Sequence, residues 1–256
     1  MRLAHDRAGE GPPLVLLHGI GMSKEVWRPV APLLAREREV IAVDMPGFGA
    51  SPPGPRTLGG LADAVAVFVS SLGIDRPHVA GNSLGGGVAL ALGAAGRARS
   101  VCAVSPVGFA AGREIAFARA VLTLTRLLAP ATPVLAGTRV TRTLSCFYVA
   151  GRPWRIPLDD VLHWGRAYTG AAAFWPLLRA DWSVEAPACP TTIAWGPRDR
   201  LLIFSRQAPR ARRRLPAARH VVLHGCGHVP TWDDPEQVAR VLLEASAVGP
   251  AQDPEP

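Results

Sequence analysis

Six consecutive residues, Gly81-Asn82-Ser83-Leu84-Gly85-Gly86, carry the sharpest chemical signal in the chain. They match the pattern G-x-S-x-G and stand between a short apolar run, His78 to Asn82, and an apolar helical pattern, Leu84 to Arg97. A sharp strand-to-helix turn forces its central serine into a strained backbone conformation, and glycines two positions either side remove the Cβ atoms that would collide there. The hydroxyl then stands clear of the sheet at a helix N-terminus, where free N–H groups and the helix dipole favour negative charge on a reacting centre. That chemistry is nucleophilic attack, and Ser83 is the candidate nucleophile. A serine hydroxyl is a poor nucleophile until an adjacent imidazole takes its proton, and that imidazole needs a carboxylate to fix its tautomer. Taken alone, the pentapeptide is also compatible with a glycine-rich turn that does no chemistry.

Such a turn has to be positioned by a sheet. Short apolar runs bounded by turn residues alternate with helical-period segments, the pattern of a mostly parallel α/β sheet covered by helices on both faces. The spacing predicts strands at Leu14 to Leu17, Val40 to Asp44, His78 to Asn82, Val101 to Ser105, Thr191 to Trp195 and His220 to Leu223. It predicts helices near Lys24 to Glu37, Thr57 to Leu72, Leu84 to Arg97, Ser205 to Leu215 and Pro235 to Ala247. The last is the clearest: Val238, Val241, Leu242 and Ala245 share a face, Asp234 can cap, and Gln237 is placed to complete a capping box. From Val107 to Glu185 the alternation stops and the segment reads as several helices broken at Pro130, Pro133, Pro153 and Pro157. The expected organisation is a core of residues 1–106 and 186–248, an inserted helical lid at 107–185, and a disordered tail at 249–256. The lid holds ten of the sixteen aromatic residues, too many for its surface, so most should form its own core while some line an apolar pocket.

Four motifs in sequence order resemble those of the α/β-hydrolase superfamily, over almost the whole chain. The first is Leu14-Val15-Leu16-Leu17-His18-Gly19-Ile20-Gly21, a strand followed by a His-Gly loop. The second, Asp44-Met45-Pro46-Gly47-Phe48-Gly49-Ala50-Ser51, is similar to the family's D-x-P-G-x-G-x-S turn, where Asp44 is expected to stabilise the turn. The serine motif is the third. The fourth is the pair Trp195-Gly196-Pro197-Arg198-Asp199-Arg200 and Gly225-Cys226-Gly227-His228-Val229-Pro230. The resemblance implies a catalytic triad of Ser83, Asp199 and His228, in the chain order this fold uses. It also implies an oxyanion hole from the backbone N–H groups of Ile20 and Leu84. His5, His78, His163, His220 and His224 match no motif and read as surface or packing residues, and His18 is expected to shape its turn. The chain reaches the His-Gly loop at residue 18, earlier than most relatives, so the N-terminal edge of the sheet is expected to be shortened.

The implied function is hydrolysis of an ester, thioester or lactone of an apolar small molecule through an acyl-enzyme on Ser83, with no metal or organic cofactor. A second reading is carbon-carbon bond hydrolysis of a vinylogous diketone, since Gly-Asn-Ser-x-Gly-Gly resembles elbows of that branch; Val229 stands where those relatives commonly carry Trp. Haloperoxidase-like perhydrolysis resembles a further side activity, and a ligand-binding or receptor protein retaining the fold is a third class. Formal charge is +8, and the densest cationic cluster, Arg206, Arg210, Arg212, Arg213 and Arg214, reads as a solvated helix face or a dock for an anionic carrier or thioester partner. Without interleaved aromatics or a binding motif, that run does not point to nucleic acid. Four widely spaced cysteines read as buried free thiols. No stretch of eighteen residues lacks a charge or a breaker, so no membrane span is indicated, and the polar start from Met1 to Glu10 points to a cytoplasmic location.

Overall fold

The structure, a computed structural model, describes residues 2–247; the tail expected to be disordered lies outside them. Its strands are β1 (His5–Ala8), β2 (Pro13–Leu17), β3 (Glu39–Val43), β4 (His78–Asn82), β5 (Ser100–Val104), β6 (Thr191–Trp195) and β7 (Arg219–Val222). They form one sheet in the order β1-β3-β2-β4-β5-β6-β7, parallel from β3 through β7. The six expected strands are all present, each within one residue of its expected bounds. Their apolar runs bury both faces, as β4 and β5 do at every position.

The sheet edge carries one short strand that the spacing did not predict. His5–Ala8 pairs antiparallel with β3, His5 opposite Val43 and Ala8 opposite Val40. The Asp44 N–H donates to the Ala4 carbonyl at 2.9 Å and extends the ladder. These four residues are too polar and too short to announce a strand, but β3 would otherwise leave its ladder open to solvent.

The helices are α1 (Ala31–Leu34), α2 (Leu58–Ser71), α3 (Leu84–Ala94), α4 (Arg113–Leu128), α5 (Thr132–Leu135), α6 (Arg139–Cys146), α7 (Leu158–Gly170), α8 (Phe174–Arg179), α9 (Phe204–Arg214) and α10 (Pro235–Ala245). Gly93 of α3 packs on the Val101 side chain, while Ser100 Oγ donates to the Ala245 carbonyl of α10 at 2.8 Å. Successive strand residues point to opposite faces, so α3 and α10 cover opposite sides of the sheet. The helix expected at Lys24 to Glu37 is instead a 3-10 turn, Lys24–Trp27, followed by the single turn of α1. Pro29 and Pro32 account for the break, since neither donates a hydrogen bond and each disfavours helix in the residue before it. α3 stops before Gly96, whose φ of 67° lets the Arg97 N–H reach back to the Leu92 carbonyl at 2.9 Å.

Two features of this topology place a site. β2 runs next to β3 on one side and β4 on the other, so the connections leave in opposite directions and open a crevice at the carboxyl ends of β2 and β4. The five helices α4 to α8 all fall between β5 and β6, over residues 113–179. α9 anchors them. Arg210 donates to the buried Glu114 carboxylate, Nη2 to Oε1 at 2.9 Å, and Arg214 donates to the Gly108 and Val184 carbonyls at 2.7 and 2.9 Å. Two of the five arginines that read as a solvated helix face or a dock are therefore occupied in holding α9 to this helical segment.

The Arg210 hydrogen bond, more than any other contact, holds the Glu114 carboxyl below its usual range. A lowered carboxyl pKa stabilises the fold above the unfolded value, and that contribution disappears as pH falls through the folded one. Replacing Glu114 by Gln is therefore expected to cost about 1 kcal/mol in urea unfolding at pH 7. The gap between variant and parent should close below about pH 4, where the unfolded glutamate protonates. A gap independent of pH would refute the ion-pair account.

Candidate active site

Ser83 caps the N-terminus of α3 with φ 57° and ψ −116°, a left-handed conformation that a residue with a Cβ adopts only under constraint. Around it the chain is packed too tightly for side chains. A Cβ on Gly81 would come within 2.1 Å of the Gly85 carbonyl oxygen, and one on Gly85 within 2.3 Å of the Leu17 carbonyl oxygen. The glycines thus let the start of α3 lie directly against the end of β2. Gly19, in the loop after β2, sits where a Cβ would be 3.3 Å from Ser83 Cβ.

His18 shapes that loop. Its Nδ1 donates to the Gly19 carbonyl at 2.8 Å and its Nε2 accepts the Met45 N–H at 3.0 Å, which fixes a neutral tautomer. Burial lowers its pKa; the Asp44 charge and the Gly19 hydrogen bond oppose this without overcoming it. Asp44 holds the neighbouring turn, accepting the Lys24 N–H at 2.7 Å and the Ala50 N–H at 3.0 Å. Between these ties the backbone N–H groups of Ile20 and Leu84 have no acceptor among the described residues; Leu84 directly follows Ser83, and Ile20 lines the same small cavity as the serine.

On the other side of Ser83 lies the loop after β7. His228 is buried, and its Nδ1 is 2.8 Å from Asp199 Oδ2. That carboxylate, also buried, accepts three further N–H groups: Trp195 Nε1 at 3.0 Å on Oδ2, and Leu201 and Leu202 at 3.0 and 2.8 Å on Oδ1. A carboxylate so placed orients the imidazole with Nδ1 protonated and Nε2 free to accept. His228 Nε2 has no partner among the described residues. It shares with Ser83 a cavity of about 10 Å³, lined also by Gly19, Ile20, Leu122 and Tyr168, barely the room one water needs. The sequence-predicted residues Ser83, His228 and Ile20 thus line one small space with Asp199 directly behind the imidazole, and no hydrogen bond joins Ser83 to His228.

Two positioning contacts escaped the sequence reading. Asn82, directly before the serine, donates its amide Nδ2 to the His228 carbonyl at 2.8 Å and to the Val104 carbonyl at 3.1 Å, tying the β4 turn to the His228 loop. Asp233, fully buried, accepts N–H groups from Gly227, Gly151 and Arg152 at 2.7, 2.8 and 2.6 Å, clamping the same loop to the segment before α7. The consecutive acids Asp233-Asp234 hinted at this, since a helix needs one cap. Asp234 is that cap, accepting the Gln237 N–H at 3.0 Å. Gln237 does not complete a capping box; its Oε1 accepts the His224 N–H at 2.7 Å instead.

Adjoining the small cavity is an apolar groove of about 420 Å³ between α4, α5, α6 and α7. Met22, Val149 and Tyr168 line both spaces and separate them. The Tyr168 hydroxyl makes no hydrogen bond within the described residues, and burial raises its pKa well above the ordinary value. Cys146, also on the groove, is a free thiol pushed up to about 12 by burial, as are Cys102 and Cys226. Among the described residues no three His, Cys, Asp or Glu side chains come together in a way that could hold a metal ion.

A sequence model of the Alpha/beta hydrolase family matches residues 14–241. The chain belongs to the alpha/beta hydrolase family. With that membership goes the hydrolase class. It is 31% identical to a pimeloyl-[acyl-carrier protein] methyl ester esterase of Aeromonas hydrophila over 94% of this chain and 98% of that protein. An alpha/beta hydrolase fold protein from Burkholderia ambifaria superimposes with a TM-score of 0.74 at 25% identity, covering 94% of this chain and 93% of the other. The enol-lactonase from Burkholderia xenovorans shares the fold, with a TM-score of 0.72 at 20% identity over 94% and 95% of the two chains. The alpha/beta hydrolase sheet accounts for the position of each motif at a strand's carboxyl end.

The clamp by Asp233 and the cap by Asp234 separate cleanly. Asp233→Ala should lower kcat by about 10²-fold through displacement of the His228 loop. Asp234→Ala should cost about 1 kcal/mol of stability and leave kcat close to the parent value. Ester hydrolysis and thermal unfolding of both variants check this; equal kcat in the two would deny Asp233 a positioning role.

Proposed function

We propose that this chain is a serine esterase that works through an acyl-enzyme. The observation carrying the proposal is one small cavity bordered by Ser83 and His228, with Asp199 fixing the far side of the imidazole and two free N–H groups beside the serine. In this reading Ser83 Oγ attacks the ester carbonyl while His228 Nε2 takes its proton, and the Ile20 and Leu84 N–H groups stabilise the oxyanion. The tetrahedral intermediate collapses, His228 returns the proton to the departing alcohol, and the acyl group stays on Ser83. Water then enters, gives its proton to His228 and releases the carboxylic acid, restoring the hydroxyl.

The helices between β5 and β6 act in this reading as a lid, and the acyl chain lies in the groove behind Met22, Val149 and Tyr168. Its lining of Leu124, Leu128, Leu135, Leu144, Val161 and Trp164 favours an apolar acyl group over a polar one. The likeness to a methyl ester esterase supports an ester with a small leaving group, since the room for the acyl part is large and the room around the serine is small.

Ser83→Ala should lose roughly 10⁴-fold or more in turnover of p-nitrophenyl esters, and a fluorophosphonate probe should label Ser83 in the parent chain only. Across an acyl series, kcat/KM should climb by up to about fourfold per methylene until the groove is filled. Undiminished rates in Ser83→Ala would remove the nucleophile. A single slow turnover with retained product would favour a ligand-binding role. A flat acyl series would remove the groove from the account.

A further inference from the structure

The rim of the apolar groove is itself apolar and uncovered. Leu124, Leu128 and Leu144 line the groove and are also exposed, Leu144 at 68%. Outside the groove on the same helices, Leu127, Val134 and Val140 are 65%, 80% and 69% exposed. Single exposed aliphatics are ordinary, but six on three consecutive helices around one opening form a patch that water covers at a cost.

The run of helix from Arg113 to Leu135 has the length and apolarity to cross a membrane, and only 17% of its most apolar window is buried. It does not read as a span: Arg119 and Arg126 fall inside it, and Pro130 and Pro133 break its ladder. Phe117, Leu124 and Leu128 lie seven and four residues apart, on one face, the pattern of a helix that lies along an interface.

Charge decides what that face suits. Residues 113–170 contain eight arginines and three acidic residues. Two of those acids are spent in ion pairs inside the protein, Glu114 with Arg210 and Asp160 with Arg28. Arg113, Arg139 and Arg166 are exposed and have no ion-pair partner among the described residues. Trp154, 47% exposed, stands on the 3-10 turn Pro153–Arg155 that packs against α6, and tryptophan suits the headgroup level of a bilayer. An aliphatic rim on a segment that also carries unpaired, exposed guanidinium groups complements acyl chains beneath a layer of phosphates.

We propose that the face formed by α4, α5 and α6 docks on an anionic phospholipid bilayer, and that the substrate is a membrane-resident acyl ester passing from the lipid into the groove. The substrate half of this inference rests on the esterase reading; the docking half does not.

The test therefore uses Ser83→Ala, which binds without turnover. It is sedimented with vesicles of phosphatidylglycerol and phosphatidylcholine, or of phosphatidylcholine alone. Binding is expected on the mixed vesicles, weakened by salt, and reduced by roughly tenfold or more when Leu127→Glu and Val140→Glu are added. With Ser83 intact, the same two substitutions should leave kcat/KM on a short water-soluble ester unchanged, because neither residue lines the groove or the serine cavity, and should slow hydrolysis of an ester carried in the vesicles. The proposal is overturned by absence of vesicle binding, by equal binding to both vesicle types, or by binding indifferent to the two substitutions. It is equally overturned if vesicles are ignored while Leu127→Glu and Val140→Glu dissociate a dimer, or abolish binding to an acidic carrier protein. Failure on the soluble ester alone would sink the esterase reading and leave the docking result standing.

Discussion

Holding a serine at φ 57° costs on the order of 1–3 kcal/mol, and the structure keeps it there by leaving the backbone no alternative. Ser83 N–H donates to the Val104 carbonyl at 2.9 Å, and its own carbonyl accepts the Gly87 and Val107 N–H groups, both at 3.1 Å. Strand, turn, helix and the following crossover are thus locked to one residue. The strain has a chemical consequence. It turns the chain so sharply that the first N–H groups of α3 and the loop after β2 face the same point, which no relaxed strand-to-helix connection would allow.

Around that fixed point the partners come from distant stretches of sequence, and each needs its own tether. Asp199 and Asp233 are both buried, and their hydrogen bonds divide the work. Asp199 spends one acceptor site on the imidazole and three on holding itself still. Asp233 touches no candidate catalytic side chain; it gathers backbone N–H groups from the His228 loop and from the chain before α7. Asn82 closes the ring from the side of Ser83. Buried carboxylates are costly unless every lone pair is satisfied, so both aspartates are tolerated here because backbone and indole N–H groups converge on them.

Much of this was legible in the sequence because local rules and global fold agree there. The central strands read correctly as uninterrupted apolar runs, since a strand buried on both faces carries no alternation to misread. The glycines at 81, 85 and 86 were legible because close approach admits no substitute. What was not legible depends on contacts between segments far apart in the chain. β1 is a strand because β3 needs a partner, not because His-Asp-Arg-Ala prefers one. Gln237 fits the capping-box spacing, yet tertiary context turns its side chain to His224. Asp233 sits beside a residue that explains the local pattern on its own, and only the return of residues 151 and 152 from across the fold reveals its use. The arginines of α9 looked like a free cationic face until Glu114, 96 residues away, took one of them.

The two halves of the protein are packed unequally, and that difference says where movement is cheapest. α3 buries nine of its eleven residues, whereas α4 buries three of sixteen and α5 none. Space for about one water beside Ser83 is too little for an ester, so on the proposed reading something lining it must yield. Ser83 and His228 are held by backbone hydrogen bonds to β4, β5 and α3 and by the Asp199 contact, and Gly19 lies against Ser83. Leu122, Val149 and Tyr168 belong to the helical segment, and local opening draws on the elements with the fewest buried contacts. On the proposed reading, a substrate entering from the groove would displace the helices and leave the elbow unmoved. Its acyl part meets side chains that can be exchanged without disturbing the sheet, whereas the atoms proposed to react stay fixed by glycines that cannot.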